Sequence, residues 1–202
     1  MRRSNLLLAF FITCSIIVSA QTSVRKFAPK SLTTPITSLP ASKVDFDAFE
    51  SLTREVKEYR KARLVSLDEF LCMSKEENTI ILDTRSTEMY NRKHVKGAIH
   101  LDFTDFTQAN LTKVIPATGT RILIYCNNNF VNDEIYFATK AFQPPPVFKP
   151  QTFSSKKEIT LALNIPTFIN LYGYGYKNVY ELGELVSVFF GKILFEGTDV
   201  PK

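Results

Sequence analysis

The chain has 202 residues, of which 45% are hydrophobic and 12% aromatic. This is enough for one domain with a proper core and too short for two large domains. The net charge of +5 comes from scattered residues, without the concentrated basic stripe that nucleic-acid binding needs. We therefore expect a single domain that does not bind nucleic acid.

Residues 1–20 have the pattern of an export signal. Arg2 and Arg3 form a positive start, an apolar run covers residues 6–18, and small residues precede Gln21. Such a segment is removed on export, so we expect a periplasmic protein that begins at Gln21 and makes no membrane contact after cleavage. An uncleaved anchor is the alternative, because the apolar run is near the short limit for a membrane span of roughly 20 residues.

The rest of the chain is predicted to form a leader, a first helix and a domain. Residues 21–44 are rich in Ser, Thr, Pro and Lys and predict a flexible leader. Apolar residues at helical spacing predict an amphipathic helix at 45–61. Within the domain, 62–195, strands are predicted at 63–65, 79–83, 98–101, 121–125 and 178–181. Helices are predicted at 66–74, 87–92, 106–113, 159–171 and 184–193.

This alternation of short apolar strands with helices predicts the fold class. It indicates an α/β fold with a mostly parallel sheet and helices on both faces. In open parallel sheets, the functional site lies beyond the carboxyl ends of the strands. Asp83 and Cys126 both follow the end of a predicted strand, so both are expected in the site.

Cys126 follows the most apolar predicted strand, and three asparagines come directly after it. A loop after a buried strand presents backbone N–H groups that bind anions and lower the pKa of a thiol. The residues alone leave two interpretations open: a nucleophile that reacts as the thiolate, or a buried strand-end cysteine without chemistry. Cys72, the other cysteine of the mature chain, is expected in the core beside the apolar stripe of helix 66–74.

Two segments resemble the rhodanese-like domain family. The segment ILDTRSTEMYNRKHVKGAIHLDF, at 81–103, resembles the first family signature, and GYGYKNVYELGE, at 173–184, resembles a later one. RILIYC fits the strand that precedes the catalytic cysteine of the family. The resemblance covers about residues 63–190 and implies the rhodanese-like fold, with a mostly parallel five-stranded sheet. The matching residues of the first signature are Asp83, Arg85, Glu88, Tyr90, His94, Gly97, Ala98 and Ile99.

The resemblance also implies a chemistry for Cys126. In this interpretation Cys126 takes a sulfane sulfur from a small sulfur-containing anion as a persulfide and passes it to a thiol or to cyanide. Arg85 is expected to be the nearest permanent cation. The sulfur anion is expected to be bound by the loop that follows the cysteine, through Asn127, Asn128, Asn129, Phe130 and Val131.

Four matching residues are expected to support the site structurally. Asp83 is expected to pair with Arg85, and His94 to bond the backbone around the turn at Gly97, where glycine suits a tight turn before a strand. Glu88 completes this set. No cofactor is expected, and the histidines and cysteines lack the spacing of a zinc site.

The chain departs from the family pattern after Cys126. Active rhodaneses usually carry a basic residue near the end of a six-residue loop, whereas residues 127–131 carry none. An insertion at 131–155, which contains three consecutive prolines, is expected to run extended as a lid or as a docking arm for a protein partner. A second function therefore stays open, a catalytically inactive rhodanese-like binding module. Redox sensing at Cys126 is a third.

The arginine positions exclude one related chemistry. Phosphatases that share this fold need an arginine six positions after the cysteine, because its guanidinium clamps phosphate through two hydrogen bonds. Asn132 stands at that position, and Arg121 is the last arginine of the chain. Lysine is a poor replacement at such a site, so cysteine-dependent phosphatases and arsenate reductases are excluded.

Overall fold

A computed structural model describes residues 39–131, 133, 162–187, 189 and 191–200. The export signal at 1–20, most of the leader and nearly all of the insertion lie outside these residues and stay predictions. The chain divides into two units, 1–43 and 44–202, and the helices and strands given below belong to the second. Among the described residues, no helix has the length and apolar character to cross a membrane.

The described elements follow the predicted alternation closely. The helices are α1 (Phe46–Lys61), α2 (Leu67–Met73), α3 (Thr87–Arg92), α4 (Gln108–Val114) and α5 (Asn164–Gly173). The strands are β1 (Leu64–Val65), β2 (Thr79–Asp83), β3 (His94–Val95), β4 (Ile99–His100), β5 (Arg121–Ile124), β6 (Val179–Leu182) and β7 (Phe195–Glu196). Short 3-10 turns occupy Phe103–Asp105 and Asn127–Asn129.

Five strands form one parallel sheet in the order β1-β6-β5-β2-β4. The prediction of a parallel five-stranded α/β sheet is therefore confirmed. A second sheet pairs β3 with β7 in antiparallel orientation. Each strand of that pair has only two residues, too few for a hydrophobic pattern to mark them in the sequence.

Buried side chains form two clusters, one on each face of the sheet. One cluster joins α1, α4 and α5 to alternate residues of the central strands, and includes Val56, Leu82, Leu111, Ile122, Ile124, Phe168 and Val179. The other joins α2 and the chain after β6 to the opposite residues, and includes Phe70, Leu123, Tyr125, Phe130, Leu182 and Val186. Because successive strand residues point to opposite faces, β5 contributes to both clusters.

Helix starts follow local chemistry. Ser66 and Glu69 form a capping box at the start of α2, in which each side chain bonds the backbone N–H of the other residue. Asp45 accepts a hydrogen bond from the Ala48 N–H, 2.9 Å away, and so begins α1. Pro166 is the third residue of α5, in the first turn, where a missing N–H breaks no intrahelical bond.

Two predictions from the pattern are wrong. The described residues of 184–193 form no helix, because the backbone of Val186 bonds instead to Asn129 and Val131 beside the cysteine loop. Cys72 is exposed rather than in the core. Helix α2 buries Phe70 completely, and a residue two positions later is turned by about 200° around the helix axis, away from the sheet.

Candidate active site

The ends of β2 and β5 lie side by side at the carboxyl edge of the sheet. Leu82 pairs with Ile124 in the parallel register, so Asp83 lies next to Tyr125, and Cys126 follows directly. Cys126 is buried, with 4% of its surface exposed. This edge is where open parallel sheets bind their ligands.

Asp83 and Arg85 form the expected charge pair at the end of β2. The Arg85 Nη2 lies 2.6 Å from the Asp83 Oδ2, and the Nε lies 3.0 Å from the Oδ1. Both side chains are buried, and the Tyr125 hydroxyl donates a further hydrogen bond to the Asp83 Oδ2 at 2.6 Å. Burial alone lowers the pKa of Arg85, but the contact with Asp83 outweighs it, so the pKa is raised. Arg85 therefore stays charged.

The same guanidinium holds the cysteine loop. Its Nη1 donates to the Asn127 Oδ1 at 2.5 Å, and its Nη2 donates to the Lys93 carbonyl oxygen at 2.6 Å. All three guanidinium nitrogens thus donate to protein oxygens. Burial raises the pKa of Cys126, and the charge of Arg85 is among the causes that oppose this rise, although the hydrogen bonds of Arg85 are directed at other residues.

Asn129 fixes the other end of the loop. Its Oδ1 accepts from the Cys126 N–H at 3.0 Å, and its Nδ2 donates to the carbonyl oxygens of Leu182 at 2.7 Å and Glu184 at 3.1 Å. Asn128 differs, because its Oδ1 is buried without a hydrogen-bond partner. Asn129 therefore ties the cysteine loop to the end of β6, as Asn127 ties it to Arg85.

The backbone donors of the loop are directed mainly elsewhere. The Asn129 N–H donates to the Cys126 carbonyl oxygen, that of Phe130 to the Asn127 carbonyl oxygen, and that of Val131 to the Val186 carbonyl oxygen, each at 3.0 Å. Three of the five N–H groups expected to bind the sulfur anion, those of Asn129, Phe130 and Val131, thus bond protein carbonyl oxygens. The 3-10 turn and the bridge to Val186 use these donors to hold the loop in place.

The sulfur of Cys126 receives its donors from two separate segments. Burial raises the pKa of the Cys126 thiol above its usual value, and hydrogen bonds from the backbone N–H groups of Leu163, Asn127 and Asn164 oppose that rise. Leu163 and Asn164 lie at the start of α5, where N–H groups have no intrahelical partner and the helix dipole favours negative charge. The thiol is therefore buried, and uncharged backbone N–H groups are the main groups that favour its ionised form.

Sequence analysis missed Leu163 and Asn164 because the insertion separates them from Cys126. The one available signal was Pro166, which marks a helix start and hence a set of unpaired N–H groups. It also missed Lys93, whose Nζ lies 2.8 Å from the Asp133 Oδ1 and 5.3 Å from the centre of the Phe130 ring. Lys93 therefore contacts one residue of the cysteine loop and one just after it.

The remaining signature residues lie on α3 and the turn after it. His94 stacks on Tyr90, with 3.8 Å between ring centres, and its Nδ1 lies 2.7 Å from the Tyr90 carbonyl oxygen. Gly97 has φ +80, which favours glycine. Glu88 is exposed in the first turn of α3. Within the described ranges, no three His, Cys, Asp or Glu side chains come together as metal ligands.

Comparison with curated proteins gives no match. Two solved structures resemble the chain at low identity. One is a variant of EanB in complex with hercynine, at 18% identity and a TM-score of 0.38, over 59% of this chain and 23% of that chain. The other is the BH2092 protein from Bacillus halodurans, at 14% identity and a TM-score of 0.36, over 67% and 75% of the two chains.

The family model described as the rhodanese-like domain matches residues 66–182. The match covers more than half of the chain and includes both strand ends of the site. Its range begins at the capping residue of α2 and ends with the last residue of β6. Together with the parallel five-stranded sheet, this match shows that the chain belongs to the rhodanese-like domain family.

Proposed function

We propose that this protein is a sulfurtransferase in which Cys126 carries a sulfane sulfur as a persulfide. The proposal is supported by one observation above the others: Cys126 is buried directly after β5, at the edge where open parallel sheets bind ligands, in a loop that Asn127 and Asn129 hold in place. Burial raises the pKa of its thiol, and the backbone N–H groups of Leu163, Asn127 and Asn164 oppose that rise. Fixed backbone dipoles in a site without bulk water stabilise an anion without reorganising when it forms. Such donors suit a terminal persulfide sulfur, which bears the negative charge.

The proposed reaction has two displacement steps. In the first, the Cys126 thiolate attacks the outer sulfur of thiosulfate, the S–S bond of thiosulfate breaks, and sulfite leaves with the bonding electron pair. In the second, a thiolate or cyanide attacks the terminal sulfur of the persulfide and regenerates the Cys126 thiolate. Charge is conserved in both steps, and no external oxidant or reductant is needed.

The raised pKa of Cys126 sets the pH dependence of the first step. Only the thiolate is nucleophilic, and burial disfavours it. The rate of persulfide formation is therefore expected to rise with pH beyond neutrality. Proton loss from Cys126 therefore precedes sulfur transfer.

A second candidate function is a rhodanese-like module that binds a small anion or a partner protein without chemistry. The burial of Cys126 and the engagement of Arg85 by Asp83, Asn127 and Lys93 favour it. Export through the signal at 1–20, a periplasmic location and a protein partner at the insertion 131–155 belong to either proposal.

Mass spectrometry separates the two functions. The mature protein is incubated with thiosulfate at neutral and at alkaline pH, and its intact mass is measured. Under the sulfurtransferase proposal the mass rises by one sulfur atom, and the gain disappears in Cys126→Ser. The matched control is Cys72→Ser, which removes the exposed thiol and keeps the gain. No gain at either pH favours the binding module.

A further inference from the structure

Helix α1 lies outside the residues that match the family, yet it contacts the sheet next to the site. Arg60, in its last turn, binds Glu181 of β6 through two hydrogen bonds. The Arg60 Nη2 lies 2.5 Å from the Glu181 Oε1, and the Nε lies 2.6 Å from the Oε2. A bidentate pair of this kind fixes direction as well as distance.

Glu181 in turn binds the first residue of α5. Its Oε1 accepts a hydrogen bond from the Asn164 Nδ2, and the exposed fraction is 2% for both residues. The backbone N–H of Asn164 is among the groups that lower the pKa of Cys126 against the effect of burial. Hydrogen bonds thus lead from Arg60 through Glu181 to Asn164, whose backbone acts on the thiol.

The ionic state of Glu181 matters for this series. Burial raises the pKa of Glu181, while Arg60 and Asn164 oppose that rise. An ionised carboxylate only accepts hydrogen bonds, so it directs the Nδ2 of Asn164 toward β6 and leaves the amide one orientation. Arg60 supplies the charge that makes an ionised carboxylate tolerable in a buried position.

We propose that Arg60 and Glu181 are positioning residues for Cys126: their ion pair fixes Asn164, and with it the N–H groups at the start of α5. The contact makes α1 part of the site. This inference rests on the proposed role of Cys126, but it concerns the environment of the thiol. It is therefore tested by a measurement that needs no sulfur transfer.

The test compares two substitutions that remove the same charge. Iodoacetamide alkylation of Cys126 is followed against pH in a background that carries both Cys14→Ser and Cys72→Ser, so that Cys126 is the one thiol that reacts. Glu181→Gln keeps an amide oxygen for Asn164, whereas Glu181→Leu keeps none. We expect the alkylation midpoint of Glu181→Leu to lie about 0.5 to 1 unit above that of Glu181→Gln, which slows alkylation at neutral pH roughly three- to tenfold. Equal midpoints in the two folded variants overturn the inference.

Substitutions on α1 test the other end of the contact series. Arg60→Met is expected to raise the midpoint, and Arg60→Lys to raise it less, because lysine keeps the charge and loses the fork geometry. Arg54→Met is the matched control, since Arg54 pairs with Glu50 on the exposed side of the same helix and is expected to leave the midpoint unchanged. Equal midpoints for Arg60→Met and Arg54→Met contradict the inference, even where Glu181→Leu does not fold.

The outcomes of the two proposals are distinguishable. A protein that gives no persulfide, but whose midpoints differ as expected, keeps the positioning role and loses the sulfurtransferase function. A protein that forms the persulfide, but whose midpoints coincide, keeps the function and loses the positioning role of Arg60 and Glu181. Circular dichroism of each variant establishes that the compared proteins are folded.

Discussion

The ends of the neighbouring strands β2 and β5 differ in charge. At the end of β2, Asp83 and Arg85 are buried charges that neutralise each other. Asp83 also accepts a hydrogen bond from Tyr125, and Arg85 donates one to Asn127. At the end of β5, Cys126 is surrounded by uncharged backbone donors. The permanent charges of the site thus hold the structure, whereas stabilisation of a sulfur anion relies mainly on peptide dipoles.

Under the proposed function, this division lets the site work without a charged residue in the cysteine loop. The donors to the sulfur come from both sides of the insertion, Asn127 before it and Leu163 and Asn164 after it. A loop of asparagines therefore needs no cation of its own, provided that α5 returns to the edge of the sheet. The charge pair at β2 and the asparagine bonds keep Cys126 in the position that α5 meets.

The largest expected loss of stability comes from removing the ion pair between Arg85 and Asp83 at the end of β2. Arg85→Met leaves the Asp83 carboxylate, which is completely buried, without its partner. Removal of one member of a buried ion pair costs about 3–5 kcal/mol, so the free energy of unfolding in urea is expected to fall by that amount. Arg54→Met breaks an exposed pair and is expected to cost less than about 1 kcal/mol. Equal losses show that Arg85 is not a structural charge.

A smaller loss of stability is expected from substitutions of the loop asparagines, and the loss is expected to differ between Asn129 and its neighbour Asn128. Asn129→Ala leaves the Cys126 N–H and the Leu182 carbonyl oxygen without their partner. A buried N–H without a partner costs about 1–3 kcal/mol, so the Cys126 N–H is expected to account for a loss of that size. Asn128→Ala removes an oxygen that is itself unpaired, and its expected cost is below about 0.5 kcal/mol. Urea unfolding of both variants measures the difference, and similar costs contradict the assigned roles.

The contrast also shows which features a sequence can reveal. The bounds of β2 and α3 were predicted correctly, because each is defined by its own pattern and, for α3, by a capping serine at its start. Cys126 and the pair of Asp83 with Arg85 are likewise local, since they follow strand ends. The helix predicted at 184–193 was wrong because the backbone of Val186 finds its partners in another part of the chain.

The uncharged half of the site depends on contacts that no local pattern contains. Asn127 and Asn129 are similar in sequence to Asn128, yet their partners, Arg85 and the end of β6, lie far from them along the chain. The donors of α5 reach Cys126 only because the helix packs against the sheet. The sequence pattern indicated where the Cys126 thiol lies in the fold. Tertiary packing determines which groups surround that thiol.

The smallest expected effect tests whether burial or the donors dominate at Cys126. The pKa of the Cys126 thiol is raised in the folded state, so the folded state holds the proton more firmly than the unfolded chain. In the unfolded chain, a cysteine has a pKa of about 8.5. The contribution of the thiol to stability is therefore complete below that value and is lost as the pH rises through the folded pKa. Cys126→Ser lacks this loss, so the stability difference in favour of the wild type is expected to shrink from neutral to alkaline pH.

Urea unfolding of the two proteins across this pH range measures the difference. The pKa of the Tyr125 hydroxyl is also raised well above its usual value, but its loss of stability occurs in both proteins and cancels. A difference that instead widens with pH means that the folded state favours the thiolate. The backbone donors of Asn127, Leu163 and Asn164, together with Arg85, then outweigh burial, and the uncharged end of the site activates its cysteine in the resting protein.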